Sequence, residues 1–371
     1  MTMSMKLSRR GFIRSAAAAA SSLVLPSVVS PEEKLERKAA MHWKALEDKA
    51  VKCQLCARGC EVPDGERGFC RARENVGGQY VTLVHSRPVA LHNDPVEKKP
   101  FFHYRPATLT MSIATAGCNF TCKFCQNWEI SQFSPEEVSS IHLPPEDLVR
   151  KALEEESKSL AFTYNEPTVF YEYMFDSAKL AAEKGLGACV VSNGYIRKKP
   201  LEALLEHVDA YRIDFKSFTE DFYQKMSSAH LKPVLKTLET LKKNGVWLEL
   251  INLIIPTLND DPEEIRAKSR WVKQELGPDV PMHFTRFHPT YKLTKLPKTP
   301  VKTLERCREI AMESGLNFVY LGNVLGHEGE NTYCPRTGKL IIERMGFKVV
   351  KNLLVEGKCP CCKKPIPGKW T

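Results

Sequence analysis

Three cysteines, Cys118, Cys122 and Cys125, stand at C-x3-C-x2-C spacing directly behind the alternating run Leu109-Thr110-Met111-Ser112-Ile113-Ala114-Thr115. Three thiolates on one short loop can anchor three irons of a cubane cluster, since protein-bound iron–sulfur clusters are normally held by cysteine. The next cysteine along, Cys189, falls in an apolar run that reads as a strand. The loop therefore has no fourth protein ligand nearby, and one iron is left open to something that is not protein. Phe124, just before the last cysteine, is a ring that can shield such a cluster. Spacing alone also admits a structural zinc site.

The other cysteines are grouped as well. Cys53, Cys56, Cys60 and Cys70 fall in a Gly65/Gly68-containing stretch too short to build a core, so a metal must hold it. Zinc and an auxiliary Fe–S cluster both suit this knuckle, and the sequence does not decide between them. Tight spacings favour metal ligation over disulfides. Cys189 and Cys307 stand alone and read as small buried residues.

These residues need a frame. From Thr108 the chain alternates strand and helix, with strands expected at 108–114, 159–164, 187–192, 210–215, 246–254 and 282–287, and a further one near 317–321. Helical stretches lie between them at 145–157, 169–184, 200–207, 233–244, 262–275 and 300–314. Pro144-Pro145, Gly185 and Gly245 punctuate the series. Repeated βα units argue for an α/β fold, a partial TIM-type (β/α)6 barrel with small cysteine-rich N- and C-terminal extensions. Such barrels gather their chemistry on loops at the C-terminal ends of strands. Polar residues sit where each apolar run stops: Asn165 and Glu166, Ser192 and Asn193, Asp214 and Lys216, and His288. The domains read as 1–30 (targeting segment), 31–105 (a charged helix over 31–50, then the four-cysteine knuckle), 106–325 (the barrel) and 326–371 (a C-terminal cysteine segment). Residues 79–91 read as a strand pair, and Asp94 to Pro100 as a turn-rich linker.

The motifs resemble the radical SAM superfamily, its pyruvate formate-lyase activating enzyme-like branch, and most closely the radical SAM member of the AmmeMemoRadiSam system. The resemblance rests on Asp94-Pro95-Val96-Glu97-Lys98-Lys99-Pro100, the cysteine loop through Gln126-Asn127-Trp128, and Thr163-Tyr164-Asn165-Glu166-Pro167. Ser192-Asn193-Gly194-Tyr195, Tyr320-Leu321-Gly322-Asn323-Val324 and the N-terminal knuckle also match. It implies that Cys118, Cys122 and Cys125 ligate a [4Fe–4S] cluster whose open iron takes S-adenosylmethionine (SAM). It implies further that Asn165-Glu166 and Asp214 meet the SAM ammonium, Lys216 its carboxylate, Ser192 and Asn193 the ribose and methionine, and His288 the ribose and adenine. The implied activity is reductive cleavage of SAM to a 5′-deoxyadenosyl radical that abstracts hydrogen from a substrate. The electrons would come from a low-potential flavodoxin- or ferredoxin-type donor. A protein substrate or the partners of the AmmeMemoRadiSam system are also implied, although nothing in the sequence requires a polypeptide. The family pattern leads us to expect two C-x2-C pairs in a C-terminal ribbon. Here Cys334 is followed by Thr337 instead of a second cysteine, leaving Cys334, Cys359 and Cys362 as candidate zinc ligands, with the adjacent Cys361 a fourth that would strain a tetrahedral site.

The net charge of +10 comes from scattered Lys and Arg, without the aromatic-interleaved runs that argue for a nucleic-acid partner. No stretch reaches the roughly 18 apolar residues of a membrane span. Ser8-Arg9-Arg10-Gly11-Phe12-Ile13, with the small and apolar run behind it, reads as a twin-arginine export signal. Val28 and Ser30 are small residues suited to a cleavage site, but Pro31 hinders cleavage there, so the segment is expected to stay on as an anchor. SAM and low-potential donors are cytosolic, which keeps a cytoplasmic location as the alternative. The rival to catalysis is an exported metal-binding or electron-carrier protein without SAM chemistry.

Overall fold

The computed structural model describes residues 37–371 and the backbone of Val28–Val29. The twin-arginine stretch and residues 30–36 lie outside the described residues. Val28–Val29 pairs antiparallel with Ser140–Ile141.

One sheet dominates. Numbered along it, its strands are β1 (Ala90–Pro95), β2 (Leu109–Ala114), β3 (Ser159–Phe162), β4 (Gly187–Ser192), β5 (Ala210–Asp214), β6 (Trp247–Ile254), β7 (Met282–Arg286) and β8 (Val319–Gly322). Spatial order follows sequence order, so each strand lies beside the next. From β2 to β8 every pair is parallel, while β1 runs antiparallel to β2, pairing Ala90 with Ala114. The expected series of six parallel βα units is present, consistent with a partial barrel, with a seventh parallel strand and an antiparallel edge strand. Asp94 and Pro95 belong to that edge strand, and a 3-10 turn at Val96–Lys98 follows them. A proline is tolerated there because β1 is paired on one side only.

The crossovers are α1 (Pro145–Glu154), α2 (Tyr171–Glu183), α3 (Lys198–Leu204), α4 (Glu220–Ser227), α5 (Leu231–Lys243), α6 (Pro262–Trp271) and α7 (Val301–Glu313). Their limits have local causes. Pro145 and Pro262 occupy first-turn positions whose missing N–H leaves no bond unmade. Asp261 caps α6 by accepting the Glu264 N–H at 2.9 Å. Gly185 and Gly245, with φ of +75° and +70°, turn the chain out of α2 and α5 into the next strand. Helix α4 was not foreseen. Thr219 caps it, and Ser228 ends it in the left-handed region.

Strand residues such as Ile113, Leu160, Val190, Ile213, Leu250 and Phe284 are buried in the main core. Glu249 is buried near the start of β6. It accepts the N–H of Phe102 and of His103, and His283 Nε2 lies 2.8 Å away. Burial works against its charge, but these bonds outweigh it and hold its carboxyl at about 2.

The expected N-terminal helix is corrected where the chain is described. Residues 37–53 carry short strands at Lys38–Ala39, Trp43–Ala45 and Val51–Cys53. Trp43 pairs with Cys53 across a hairpin whose Asp48 and Lys49 both have positive φ, the geometry of a type I′ turn. The helical spacing of Ala39, Trp43 and Leu46 was a coincidence of short strands. At the other end, Thr332–Tyr333, Leu340–Met345 and Lys348–Asn352 form a three-stranded antiparallel sheet.

Candidate active site

The loops leaving β2, β3, β4 and β5 converge on a cavity of 430 Å³. Cys118, Cys122 and Cys125 line it. Among the described residues these three sulfurs do not all lie within 4.8 Å of one another, wider than the roughly 3.8 Å that a tetrahedral zinc with 2.3 Å bonds would impose. Phe120 N–H points at Cys118 Sγ at 3.4 Å, Cys122 Sγ lies 3.3 Å from Ser227 Oγ, and Cys125 Sγ 3.1 Å from Ser131 Oγ. Burial pushes all three thiols up, Cys122 to about 11 despite the Lys216 cation beside it. The thiolate is the metal ligand, so a metal bound here would displace the protons of these thiols.

Asn165 bridges β3 to the cysteine loop, donating both amide hydrogens at 2.7 Å to the carbonyls of Thr115 and Gly117. Its Oδ1 is left buried, without a partner among the described residues. Glu166 also lines the cavity, but its carboxylate is largely occupied. It accepts Thr168 N–H at 3.0 Å, Thr168 hydroxyl at 2.6 Å, Ser192 hydroxyl at 2.8 Å and Asn193 N–H at 2.7 Å. Ser192 thus serves Glu166 and is not among the lining residues, whereas Asn193 is.

Asp214 sits between two cations, 2.6 Å from Arg212 and 3.0 Å from Lys216. Burial disfavours its charge, yet Lys216 and Arg212 outweigh that and hold its carboxyl below the usual range. Arg212 lines the cavity and has a buried Nε without a partner among the described residues. The sequence reading passed over it, although it is two residues from Asp214 on β5 and so shares its face. His288 is exposed and outside the lining. The histidine at the wall is His283, inward-facing with Thr285 on β7. Lys99 and Tyr164 were also missed as lining residues. Lys99 Nζ lies 2.8 Å from Asp94 and 3.0 Å from the Tyr164 hydroxyl, giving the Asp94–Lys99 motif a place at the cavity wall.

The C-terminal sulfurs behave differently. Cys334, Cys359 and Cys362 lie within 4.8 Å of one another, Cys334 and Cys362 at 3.7 Å, which is the edge of a tetrahedral zinc thiolate. Cys361 is exposed and stands apart from that group. Thr337 hydrogen-bonds the Cys334 thiol; burial pushes that thiol up, but the Thr337 and backbone bonds prevail and hold it below the usual range.

A profile described as the Radical SAM superfamily matches residues 112–268, which spans the cysteine loop and the strands carrying Glu166, Asn193 and Asp214. An uncharacterized protein of Methanocaldococcus jannaschii is 47% identical over 329 residues, 88% of this chain and 98% of that protein. Residues 112–268 therefore carry a Radical SAM superfamily domain. It is also similar to the pyruvate formate-lyase-activating enzyme of Clostridium pasteurianum, at 25% identity over 166 residues, 42% of this chain and 66% of that enzyme. Among solved structures, a domain of pyruvate-formate lyase-activating enzyme from Bacteroides vulgatus aligns with a TM-score of 0.41 at 17% identity, covering 45% of this chain and 100% of that one. Radical SAM proteins hold a [4Fe–4S] cluster and SAM, and the residues present fit both. The three thiols are spread too widely for one ion, Asn165 Oδ1 is an unpartnered acceptor suited to an ammonium, and Arg212 Nε is an unpartnered donor suited to a carboxylate.

Proposed function

We propose that this chain is an activating-enzyme-like radical SAM enzyme, allied to the AmmeMemoRadiSam system. When bound, the cluster at Cys118, Cys122 and Cys125 supplies the electron that splits SAM into methionine and a 5′-deoxyadenosyl radical, which takes a hydrogen atom from the substrate. The observation that carries the reading is one cavity shared by three widely spaced thiols and a ring of amino-acid-binding groups. Asp214 and Asn165 Oδ1 offer negative charge and an acceptor to an ammonium; Lys216 and Arg212 offer donors to a carboxylate. Glu166, with its oxygens taken by Thr168, Ser192 and Asn193, holds the rim of β3 and β4 in place for them. The reductant is a low-potential donor of flavodoxin or ferredoxin type.

Support for a polypeptide substrate comes from the cavity mouth. Phe347 lines it from the turn after Leu340–Met345, and the exposed Leu325 packs on Gly346 beside it. This leaves an apolar rim that a protein segment can cover. The twin-arginine motif supports export of the folded holoprotein, and three C-terminal sulfurs at ion spacing support zinc. Anaerobic reconstitution, reduction and addition of SAM should yield 5′-deoxyadenosine, and Cys118→Ala should abolish it. Cleavage retained in that variant would refute the assignment.

A further inference from the structure

The N-terminal knuckle encloses a second small space, bordered by Cys53, Cys56, Cys60 and Cys70 together with Arg73 and Asn119. Among the described residues, no three of these four sulfurs lie within 4.8 Å of one another, unlike the C-terminal trio. A single tetrahedral ion would draw its thiolates to about 3.8 Å. A four-iron cubane, with an iron under each thiolate, holds them further apart. The spacing thus parts two occupants that the cysteine pattern leaves equal.

The lining supplies a second, independent sign. Among the described residues, Asn119 Nδ2 and Arg73 Nε are both buried and have no hydrogen-bond partner, and both residues border the four-cysteine space. Two orphaned N–H donors beside four thiols call for acceptors, which the sulfurs of a cluster provide. Arg73 is itself held by Glu172 at 2.5 Å, wholly buried, so a fixed cation stands beside the anionic site.

The knuckle is also built onto the barrel. Ala57 N–H bonds Tyr195 O at 2.9 Å and Arg197 N–H bonds Leu55 O at 3.0 Å, while Arg58 donates to the carbonyls of Asn119 and Ser228 at 2.5 Å. A Cβ on Gly117 would stand 2.4 Å from the Cys70 carbonyl oxygen, so the two cysteine loops touch. Asn119 borders the four-cysteine space, while Cys118 and Phe120 on either side of it border the core cavity.

We infer that Cys53, Cys56, Cys60 and Cys70 hold a second, fully protein-ligated four-iron cluster, placed to exchange one electron with the site at Cys118, Cys122 and Cys125. The exchange half of this rests on the proposed function; the occupancy half does not. Electrons balance simply. A reduced carrier of flavodoxin or ferredoxin class loses one electron, the auxiliary cluster gains it and passes it on, and no bond or proton moves.

The test uses full-length protein reconstituted anaerobically, both intact and as Cys118→Ala/Cys122→Ala/Cys125→Ala, with metal analysis, Mössbauer and EPR spectroscopy. The triple variant should keep about four irons and the intact chain about eight. The variant's reduced EPR signal should be the same with and without SAM. Zinc alone or no metal in the variant, together with about four irons in the intact chain, would overturn the second cluster. In the fully reduced intact chain the two paramagnetic sites should broaden each other's signals relative to the variant. Unbroadened signals would overturn the exchange. If the intact protein ignores SAM while the variant keeps its irons, the proposed function fails and the auxiliary cluster stands.

Discussion

The carboxylate of Glu166 accepts the backbone N–H of Asn193 at 2.7 Å, tying the end of β3 to the end of β4. With Thr168 and Ser192 it gathers four donors on one buried side chain. A residue first read as an ammonium ligand is therefore chiefly the staple of the rim. Glu166→Ala should destabilise the protein by about 3 kcal/mol, because donors to a buried charge are left unmet. Urea unfolding measures this. Unchanged stability with lost SAM affinity would make Glu166 a ligand and not a staple.

Asp214 stands in the opposite case, with cations on both sides and the cavity in front. Asp214→Asn should weaken SAM binding about tenfold or more, the loss expected for one charge-assisted contact. Iron content should stay constant, since the side chain's bonds among the described residues go to Arg212 and Lys216 and not to the sulfurs. Equilibrium dialysis with parallel iron analysis decides it, and iron falling in step with affinity would move Asp214 into the support of the cluster.

The barrel order was legible because its signals are local. The strands from β2 to β7 begin and end within about two residues of the apolar runs, and prolines and glycines mark the helix limits. What was hidden depended on pairings distant in sequence. The hairpin at Asp48–Lys49 overrode an apparent helical spacing, and α4 carries too few apolar residues to announce itself. Arg212 and His283 were legible in principle, since each shares the inward face of its strand with a polar neighbour two residues on. Lys99 reached the cavity only through β1, whose antiparallel pairing no short motif discloses.

His103 gives the fold a pH dependence. Its ring is buried between the Pro367 carbonyl, 2.6 Å from Nδ1, and the Tyr320 hydroxyl, 2.5 Å from Nε2. Burial pulls it down to about 4, against the nearby Glu249. A histidine depressed on folding is neutral in the native state and takes up its proton more readily when unfolded. Its stabilisation is therefore full above about 6.5 and lost as pH falls towards 4. Stability should drop by on the order of 2 kcal/mol between pH 7 and pH 5, and His103→Gln should flatten that slope. An equal slope in the variant would assign the dependence elsewhere.

Thr337 stands where a fourth thiolate would complete the proposed C-terminal zinc site. Thr337→Cys should raise zinc affinity at least tenfold in a chelator competition, because a four-sulfur shell replaces three sulfurs and a hydroxyl. Cys359→Ser should release the ion and loosen the C-terminal sheet. No zinc in either the natural chain or Thr337→Cys would rule out a metal there.

The central claim is an iron site with one corner that a small molecule can reach. Its most direct measurement is the EPR spectrum of the reduced protein recorded with and without SAM, using the Cys118→Ala/Cys122→Ala/Cys125→Ala chain as the blank. The account predicts a signal, absent from the blank, that shifts on adding SAM and saturates at about one SAM per chain. A spectrum that does not respond to SAM, or zinc alone bound by Cys118, Cys122 and Cys125, would contradict it.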